Sequence, residues 1–232
     1  MANRRQFLKI GIASSSASLA AASVKANTLR AFFSDTSKES IPFYKIIADK
    51  RYPESMAFAE EMDQRGFDVH ELEGGDLTVF WNEELSKIWQ TLPVAVAGVT
   101  NFRPLFCLQQ LGRTYGTRVI YRGEHFYAED GSIAHRLEGP AEMMAQCQNQ
   151  LDFKSESTAG KSLAELIMGC ESGATEIVTS DFAEHTGHNR PLTDANAQFM
   201  KTSYAGQSNL IVDTAAEQAL TSWIIAPAYE VT

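Results

Sequence analysis

Residues 43–121 alternate between two hydrophobic periods. Short apolar runs of strand character occupy four segments: 43–48, 68–72, 94–97 and 118–121. Between them, apolar residues recur at three- and four-residue spacing, as in Met56, Ala59 and Met62, and this spacing is typical of helices. Pro53, Asp76 and Pro104 suit helix starts, and Gly66 and Gly116 suit helix ends.

A strand–helix alternation of this kind predicts an α/β fold. We expect a Rossmann-like or flavodoxin-like parallel sheet with helices on both faces, in which right-handed crossovers place the first and third strands side by side. The apolar run at 220–226 predicts a closing strand that belongs to the same sheet.

Residues 117–139 predict a β-hairpin arm with a three-residue loop around Gly131. Pairing Ala128 with Ser132 sets Glu124 opposite Arg136, Arg122 opposite Glu138 and His125 opposite His135. Two opposite-charge pairs support this register, because a one-residue slip turns each side chain to the other face. The even-numbered face is then expected to be solvated, and the odd face to pack on the body or line a pocket.

The remainder of the chain is less regular. Helices are expected at 140–151 and 162–170, with a polar linker at 154–160 between them. Residues 180–209 are rich in polar and turn residues and predict a long loop that is a candidate lid.

The N-terminus begins Met-Ala-Asn-Arg4-Arg5-Gln-Phe-Leu-Lys9, followed by a mildly apolar run and small residues up to Ala26. This arrangement resembles a twin-arginine export signal, with Arg4 and Arg5 as the paired arginines. The resemblance implies recognition by the twin-arginine export machinery, folding before transport, cleavage after Ala26 and a periplasmic location. We therefore divide the chain into a signal peptide (1–26), a polar leader (27–42) and a single α/β domain (43–232).

The net negative charge of the chain limits the classes of molecule that it can bind. The whole chain has a net charge of −9; without residues 1–26 its basic residues fall from 20 to 16 against 29 acidic ones, which gives −13. Nucleic acids and anionic lipids are then unsuitable partners, because both depend on basic patches. The low hydropathy of the N-terminal run also argues against a stable membrane span.

A ligand site is expected at the carboxyl ends of the first, third and fourth strands, where doubly wound sheets bind their ligands. The candidate ligand-binding residues there are Lys50, Arg51, Thr100, Asn101, Arg103 and His125. Helix N-termini and basic side chains at this edge favour a small anionic ligand. Arg51→Ala should weaken binding, whereas the fold, which is not expected to depend on a loop arginine, should keep its melting temperature; the alternative is that these basic residues are ordinary solvated loop residues.

His125 and His135 are the candidate metal ligands, since opposed imidazoles can share an ion. A third ligand would have to come from Asp49, His70 or the pair His185 and His188, none of which the sequence places; a packed histidine pair is the simpler interpretation.

Other chemistry has little support in the sequence, and no cofactor is indicated. Neither a glycine-rich nucleotide motif nor a G-x-S-x-G elbow is present. Cys107 is placed on the apolar side of a helix, and a disulfide between Cys147 and Cys170 is an alternative to two buried thiols.

Three functions remain open at this stage. The first is an extracytoplasmic small-molecule-binding or accessory protein for an anionic ligand. The second is a hydrolytic or redox enzyme that uses His125 and His135 as acid–base or metal groups. The third is an assembly subunit of a twin-arginine-exported enzyme.

The export signal gives the first testable prediction. Replacing Arg4 and Arg5 together by lysine should leave an uncleaved precursor in the cytoplasm, because export depends on the paired arginines. Immunoblotting of cell fractions measures this directly. Normal cleavage and periplasmic recovery of the double variant would contradict the assignment.

Overall fold

The computed structural model describes residues 41–92, 94–128, 131–171, 176–185, 188–191 and 219–228. These residues form an α/β fold around one mixed sheet of eight strands in the order β2-β1-β3-β8-β4-β5-β6-β7. The strands are β1 (Phe43–Asp49), β2 (Val69–Leu72), β3 (Ala95–Thr100), β4 (Thr117–Tyr127), β5 (Ile133–Pro140), β6 (Ile177–His185), β7 (His188–Pro191) and β8 (Leu220–Pro227). The predicted signal peptide, with Arg4, Arg5 and Ala26, lies outside the described residues, as does most of the polar leader.

Helices connect and cover the strands. They are α1 (Pro53–Gln64), α2 (Thr78–Phe80), a π-helical turn (Trp81–Leu85), α3 (Ser86–Thr91), α4 (Phe102–Gly112), a 3₁₀ turn (Arg113–Tyr115), α5 (Ala141–Gln150) and α6 (Glu156–Met168). The starts at Pro53 and near Asp76, the stop at Gly66 and the left-handed Gly116 agree with the sequence pattern.

One edge of the sheet is parallel, as expected. Strand β1 pairs in parallel with both β2 and β3, so the first and third strands do lie side by side. Successive side chains of β1 point to opposite faces of the sheet, so Ile46 belongs to one hydrophobic core and Ile47 to the other. Helices α1, α5 and α6 cover the first face, and α2 to α4 cover the second.

The rest of the sheet is antiparallel, so the predicted parallel sheet is confirmed only at this edge. Strand β8 lies between β3 and β4 and runs antiparallel to both, and β4 continues into an antiparallel β4-β5-β6-β7 meander. The closing strand predicted at 220–226 is therefore confirmed, but it occupies the centre of the sheet.

The hairpin register is confirmed in every predicted pair. Glu124 lies opposite Arg136, Arg122 opposite Glu138 and His125 opposite His135. The solvated even face was wrong in part, because Glu124 is only 3% exposed. Its carboxylate lies 2.8 Å from the guanidinium of Arg122 on the same strand.

Three local predictions also need correction. Helix α6 begins at Glu156, inside the predicted linker, because Ser155 and Thr158 form a capping box. Strand β3 continues through Thr100, which had been assigned to a loop. Strands β6 (Ile177–His185) and β7 (His188–Pro191) extend into the start of the predicted lid; residues 186–187 and 192–218 lie outside the described residues.

The cysteines differ from expectation at one position. Cys107 is exposed, whereas the sequence pattern had placed it on the apolar side of its helix. Cys147 and Cys170 are buried free thiols, and burial raises the pKa of Cys170 to about 12. Within the described residues, no helix is sufficiently long and apolar to cross a membrane.

Helices α1 and α6 are in close contact at Gly160. A Cβ atom at this glycine would lie 2.5 Å from the backbone of Ala57 and Phe58. We expect Gly160→Ala to lower the free energy of unfolding by about 1–3 kcal/mol, because either helix must move to accept the methyl group. Urea denaturation measures this change.

Lys161→Ala is the matched control, since Lys161 is exposed on the same helix and its removal should alter stability by less than about 0.5 kcal/mol. Equal stabilities of the two variants would show that this helix contact is looser than described.

Candidate functional site

The carboxyl ends of β1 and β3 meet at one edge of the sheet. Strand β1 ends at Asp49 and leads into α1, whereas β3 ends at Thr100 and leads into α4. Tyr52, just before α1, hydrogen-bonds to the side chain of Asn101, just before α4. The two loops are therefore in contact, and both helix N-termini lie at this edge.

Arg51 is fixed by the carboxylate of Asp49. Its Nε lies 3.0 Å from Asp49 Oδ1, and its Nη2 lies 2.6 Å from Oδ2. Asp49 is fully buried, so this pair is part of the fold. A Cβ atom on Gly75 would lie 2.4 Å from Arg51 Nη2, so the loop after β2 passes directly over the guanidinium.

Arg51 therefore contributes to the stability of the fold. Arg51→Ala would leave a buried carboxylate with only the backbone N–H of residue 51 as a partner in this loop. The loss of a charged hydrogen bond costs about 1.5–3 kcal/mol. The expectation of an unchanged melting temperature is revised accordingly.

Lys50 is also compensated by acids. Its Nζ lies 3.1 Å from Glu71 Oε2 and 2.7 Å from Glu73 Oε1. An anionic ligand would have to compete with these two carboxylates. Lys50 therefore contributes less to the candidate site than its position in the sequence indicates.

Thr100 and Asn101 shape the second loop. The hydroxyl of Thr100 donates to the carbonyl oxygen of Asn101 at 2.7 Å and accepts from Trp223 Nε1 at 3.0 Å. Asn101 caps α4, because its Oδ1 accepts a hydrogen bond from the backbone N–H of Arg103 at 3.1 Å. The side chain of Arg103 is exposed in the first turn of that helix.

His125 lies at the same edge but on the opposite face of the sheet. Thr100 is opposite Thr221, which in turn is opposite Glu124, so the backbones are in line across three strands. Thr100 contacts Trp223, however, whereas His125 contacts Ser222, and successive residues of a strand point to opposite faces. Five of the six predicted ligand-binding residues thus lie in or beside these two adjoining loops, whereas His125 points to the other face of the sheet.

His125 belongs to a buried chain of polar side chains. Its Nε2 lies 2.9 Å from Ser222 Oγ, which lies 2.9 Å from the hydroxyl of Tyr121. Its Nδ1 lies 2.8 Å from Nδ1 of His135. Nε2 of His135 faces Glu184 Oε2 at 3.8 Å, and that oxygen accepts a hydrogen bond from the backbone N–H of Phe153.

One arrangement of protons satisfies the hydrogen bonds from Tyr121 to His135 and leaves only the 3.8 Å approach of His135 Nε2 to Glu184 longer than a hydrogen bond. Tyr121 keeps its proton because burial raises its pKa, and it donates to Ser222. Ser222 then donates to Nε2 of His125, and Nδ1–H of His125 donates to His135. The remaining proton of His135 is on Nε2 and points toward the Glu184 carboxylate. The opposite direction would place a lone pair of His135 against that carboxylate.

Both histidines are neutral at neutral pH. Burial lowers the pKa of His125 well below its ordinary value, and the neighbouring His135 lowers it further. Burial also lowers the pKa of His135, although Glu184 acts in the opposite direction. The Phe153 ring lies about 5 Å from both imidazoles, between centroids, and completes their enclosure.

In chemical terms, the chain presents a serine hydroxyl to an imidazole base. Ser222 and both histidines are nevertheless fully buried, so the arrangement first of all satisfies polar groups in a core. No grouping of three or more His, Cys, Asp or Glu side chains suited to a metal ion occurs in the described part of the chain. Metal binding by His125 and His135 remains an untested prediction.

Sequence reasoning placed Tyr121 on the packed face of the hairpin but missed Ser222 and Glu184. Ser222 lies within the predicted closing strand, where a polar residue among apolar neighbours signals a buried hydrogen bond. Glu184 lies in the segment that was expected to be a loop, so the pattern gave it no position.

The neutral histidines predict a loss of stability in mild acid. Their folded-state pKa values lie below the unfolded value of about 6.5, so the unfolded chain binds more protons as the pH falls. We expect the free energy of unfolding to be constant near pH 7.5 and to fall below about pH 6.5, by up to about 1.4 kcal/mol per pH unit for each histidine. Urea denaturation between pH 7.5 and 5.5 measures this slope.

The double variant His125→Gln/His135→Gln should lose most of the slope, even if it is less stable overall. His70→Gln is the control, because burial lowers the pKa of His70 as well and this variant should remove only its own share. Burial raises the pKa of Glu124, which acts with the opposite sign in all these proteins. A wild-type stability that is flat over this range would contradict buried neutral histidines.

Comparison with known proteins adds no identification: no protein-family model, no curated protein and no solved structure matches this chain.

Proposed function

We propose that this protein binds a small anionic molecule at the carboxyl edge of β1 and β3. The observation that carries the proposal is that the helices following these two strands cover opposite faces of the sheet, α1 in one core and α4 in the other. The two loops diverge between those helices, and in α/β sheets this divergence is where ligands bind.

The electrostatics of this edge favour an anion. The N-termini of α1 and α4 direct backbone N–H groups toward it, and each helix end has a partial positive charge. Arg103 is exposed in the first turn of α4. Arg51 contributes a guanidinium held in one orientation by Asp49, whose contacts use Nε and Nη2 and leave Nη1 outside the pair.

This proposal includes a finer description of the fold. The order β2-β1-β3, with α1 on one face and α2 to α4 on the other, resembles the first half of a flavodoxin-like or Rossmann-like sheet. Strand β8 then takes the place that the next parallel strand would have. The ligand site we propose lies within the half that retains the parallel order.

The proposed site of action is outside the cytoplasm. The paired arginines Arg4 and Arg5, the apolar run and the small residues before Ala26 support export by the twin-arginine route. We therefore propose an extracytoplasmic binding or accessory protein whose ligand is a small carboxylate or phosphate.

A hydrolytic enzyme is the second candidate, and one observation favours it. Ser222 Oγ lies 2.9 Å from His125 Nε2, within the distance at which a histidine activates a serine nucleophile. His135 and Glu184 would position that base. Ser222 is fully buried, however, so a substrate would have to displace packed side chains to reach it, and we place this candidate second.

Two arginines near opposite ends of α4 test the binding site. Arg103 is in its first turn and Arg113 follows its last residue, and both are exposed. Arg103→Ala should weaken anion binding by about 1.5–3 kcal/mol, the contribution of a charged hydrogen bond, whereas Arg113→Ala should leave it unchanged. Ligand-induced thermal shifts with a panel of small carboxylates and phosphates measure the difference.

Equal shifts in wild type and both variants would contradict binding at this edge. Hydrolysis of an activated ester that disappears in Ser222→Ala, without an anion-dependent thermal shift, would support the enzyme instead.

A further inference from the structure

A groove of about 1000 Å³ lies along the outer side of β2, between that strand, α1 and the start of α6. We call it the β2 groove. It is separate from the proposed ligand site, because it lies beside the sheet along the outer face of α1. Pro53, Met56, Ala59 and Val69 contribute apolar surface to it.

Within the described residues, the edge of β2 that faces this groove has no partner strand. It comes first in the strand order, and among the described strands it pairs only with β1. The carbonyl oxygens of Asp68 and Leu72 accept hydrogen bonds at 2.9 and 3.2 Å from the backbone N–H groups of Ile46 in β1 and of Lys50 directly after it. Because backbone groups alternate in direction along a strand, Val69 and Glu71 direct their N–H and C=O groups away from β1. Both residues line the groove.

The lining is acidic. Six carboxylates line the groove and no Lys, Arg or His does: Glu60, Glu61, Asp63, Asp68, Glu71 and Glu156.

Three of these acids are compensated by cations outside the lining. Asp68 pairs with Lys45, Glu71 with Lys50, and Glu61 with Arg65. Glu60, Asp63 and Glu156 make no ion pair with any other residue in the described ranges. Half of the acidic side chains are thus available to a cationic partner.

We propose that the β2 groove binds a basic, extended segment of a partner protein by strand addition. The open edge of β2 supplies main-chain hydrogen bonds, and the carboxylates of α1 select lysine or arginine at alternate positions of the incoming strand. Natural edge strands are usually protected against such pairing. The only protection of β2 visible in the described residues is its length of four residues, together with acids that repel acidic strands and attract basic ones.

Labelled hexapeptides test the proposal by fluorescence anisotropy. The probe alternates lysine and threonine, and its counterpart alternates glutamate and threonine. Two further lysine peptides are N-methylated, one at every lysine and the other at every threonine. Because a strand pairs with β2 through one edge only, one methylated peptide should bind like the probe and the other should lose about tenfold or more in affinity. The glutamate peptide should not bind.

Charge reversal on the protein gives the matched comparison. The double variant Glu60→Lys/Asp63→Lys should weaken probe binding by about tenfold. The control is Glu83→Lys/Glu176→Lys, which changes the net charge by the same amount at exposed positions outside the groove. This control should leave probe binding unchanged. Probe binding should also protect the amides of Val69 and Glu71 from hydrogen exchange in the wild-type protein, which requires no variant to fold.

Several results would contradict the addition of a basic strand to β2. Equal weakening by the two double variants would mean that only net charge attracts the peptide. If both methylated peptides bind, or neither does, or if Val69 and Glu71 exchange at unchanged rates, then no strand is added to β2.

Discussion

Strand β8 is the element on which the rest of the sheet depends. It pairs with β3 on one side and β4 on the other, and so joins the parallel half of the sheet to the antiparallel half. Successive side chains of β8 point to opposite faces of the sheet. Ser222 hydrogen-bonds to His125 and Tyr121 on one face, whereas Trp223 donates to Thr100 and packs against Gly98 on the other.

This two-sided strand determines what each face can do. On the first face, the hydroxyl of Ser222 completes a hydrogen-bonded chain from Tyr121 through His125 to His135, in which both imidazoles are buried without charge. On the second face, the indole of Trp223 fixes Thr100 directly before the N-terminus of α4. The candidate ligand edge is thus supported from within the sheet by a residue distant in sequence, in addition to the contacts of Asp49 with Arg51 and of Tyr52 with Asn101 in the loops.

The sequence predicts those structural features that depend on residues close together in the chain. The hairpin register follows from its turn and its charge pairs, and the strands and helices of residues 43–121 follow from their periods. The position of β8 does not follow, because an apolar run predicts a strand but carries no information about its neighbours. The separation of His125 from Thr100 depends on that position, so it too escapes sequence analysis. The Asp49–Arg51 pair was missed for a different reason: the pattern does not distinguish a buried loop carboxylate from a solvated one.

The central claim is that a small anion binds between the loops after β1 and β3. Backbone amide chemical shifts, followed by NMR during titration with small carboxylates and phosphates, test it most directly. Binding at this edge predicts shifts concentrated at Lys50 and Arg51 in the first loop, at Asn101 in the second, and at Ser55 and Arg103 in the first turns of α1 and α4. Shifts that instead centre on Ser222, His125 and His135, or a spectrum unchanged by every anion, would contradict it.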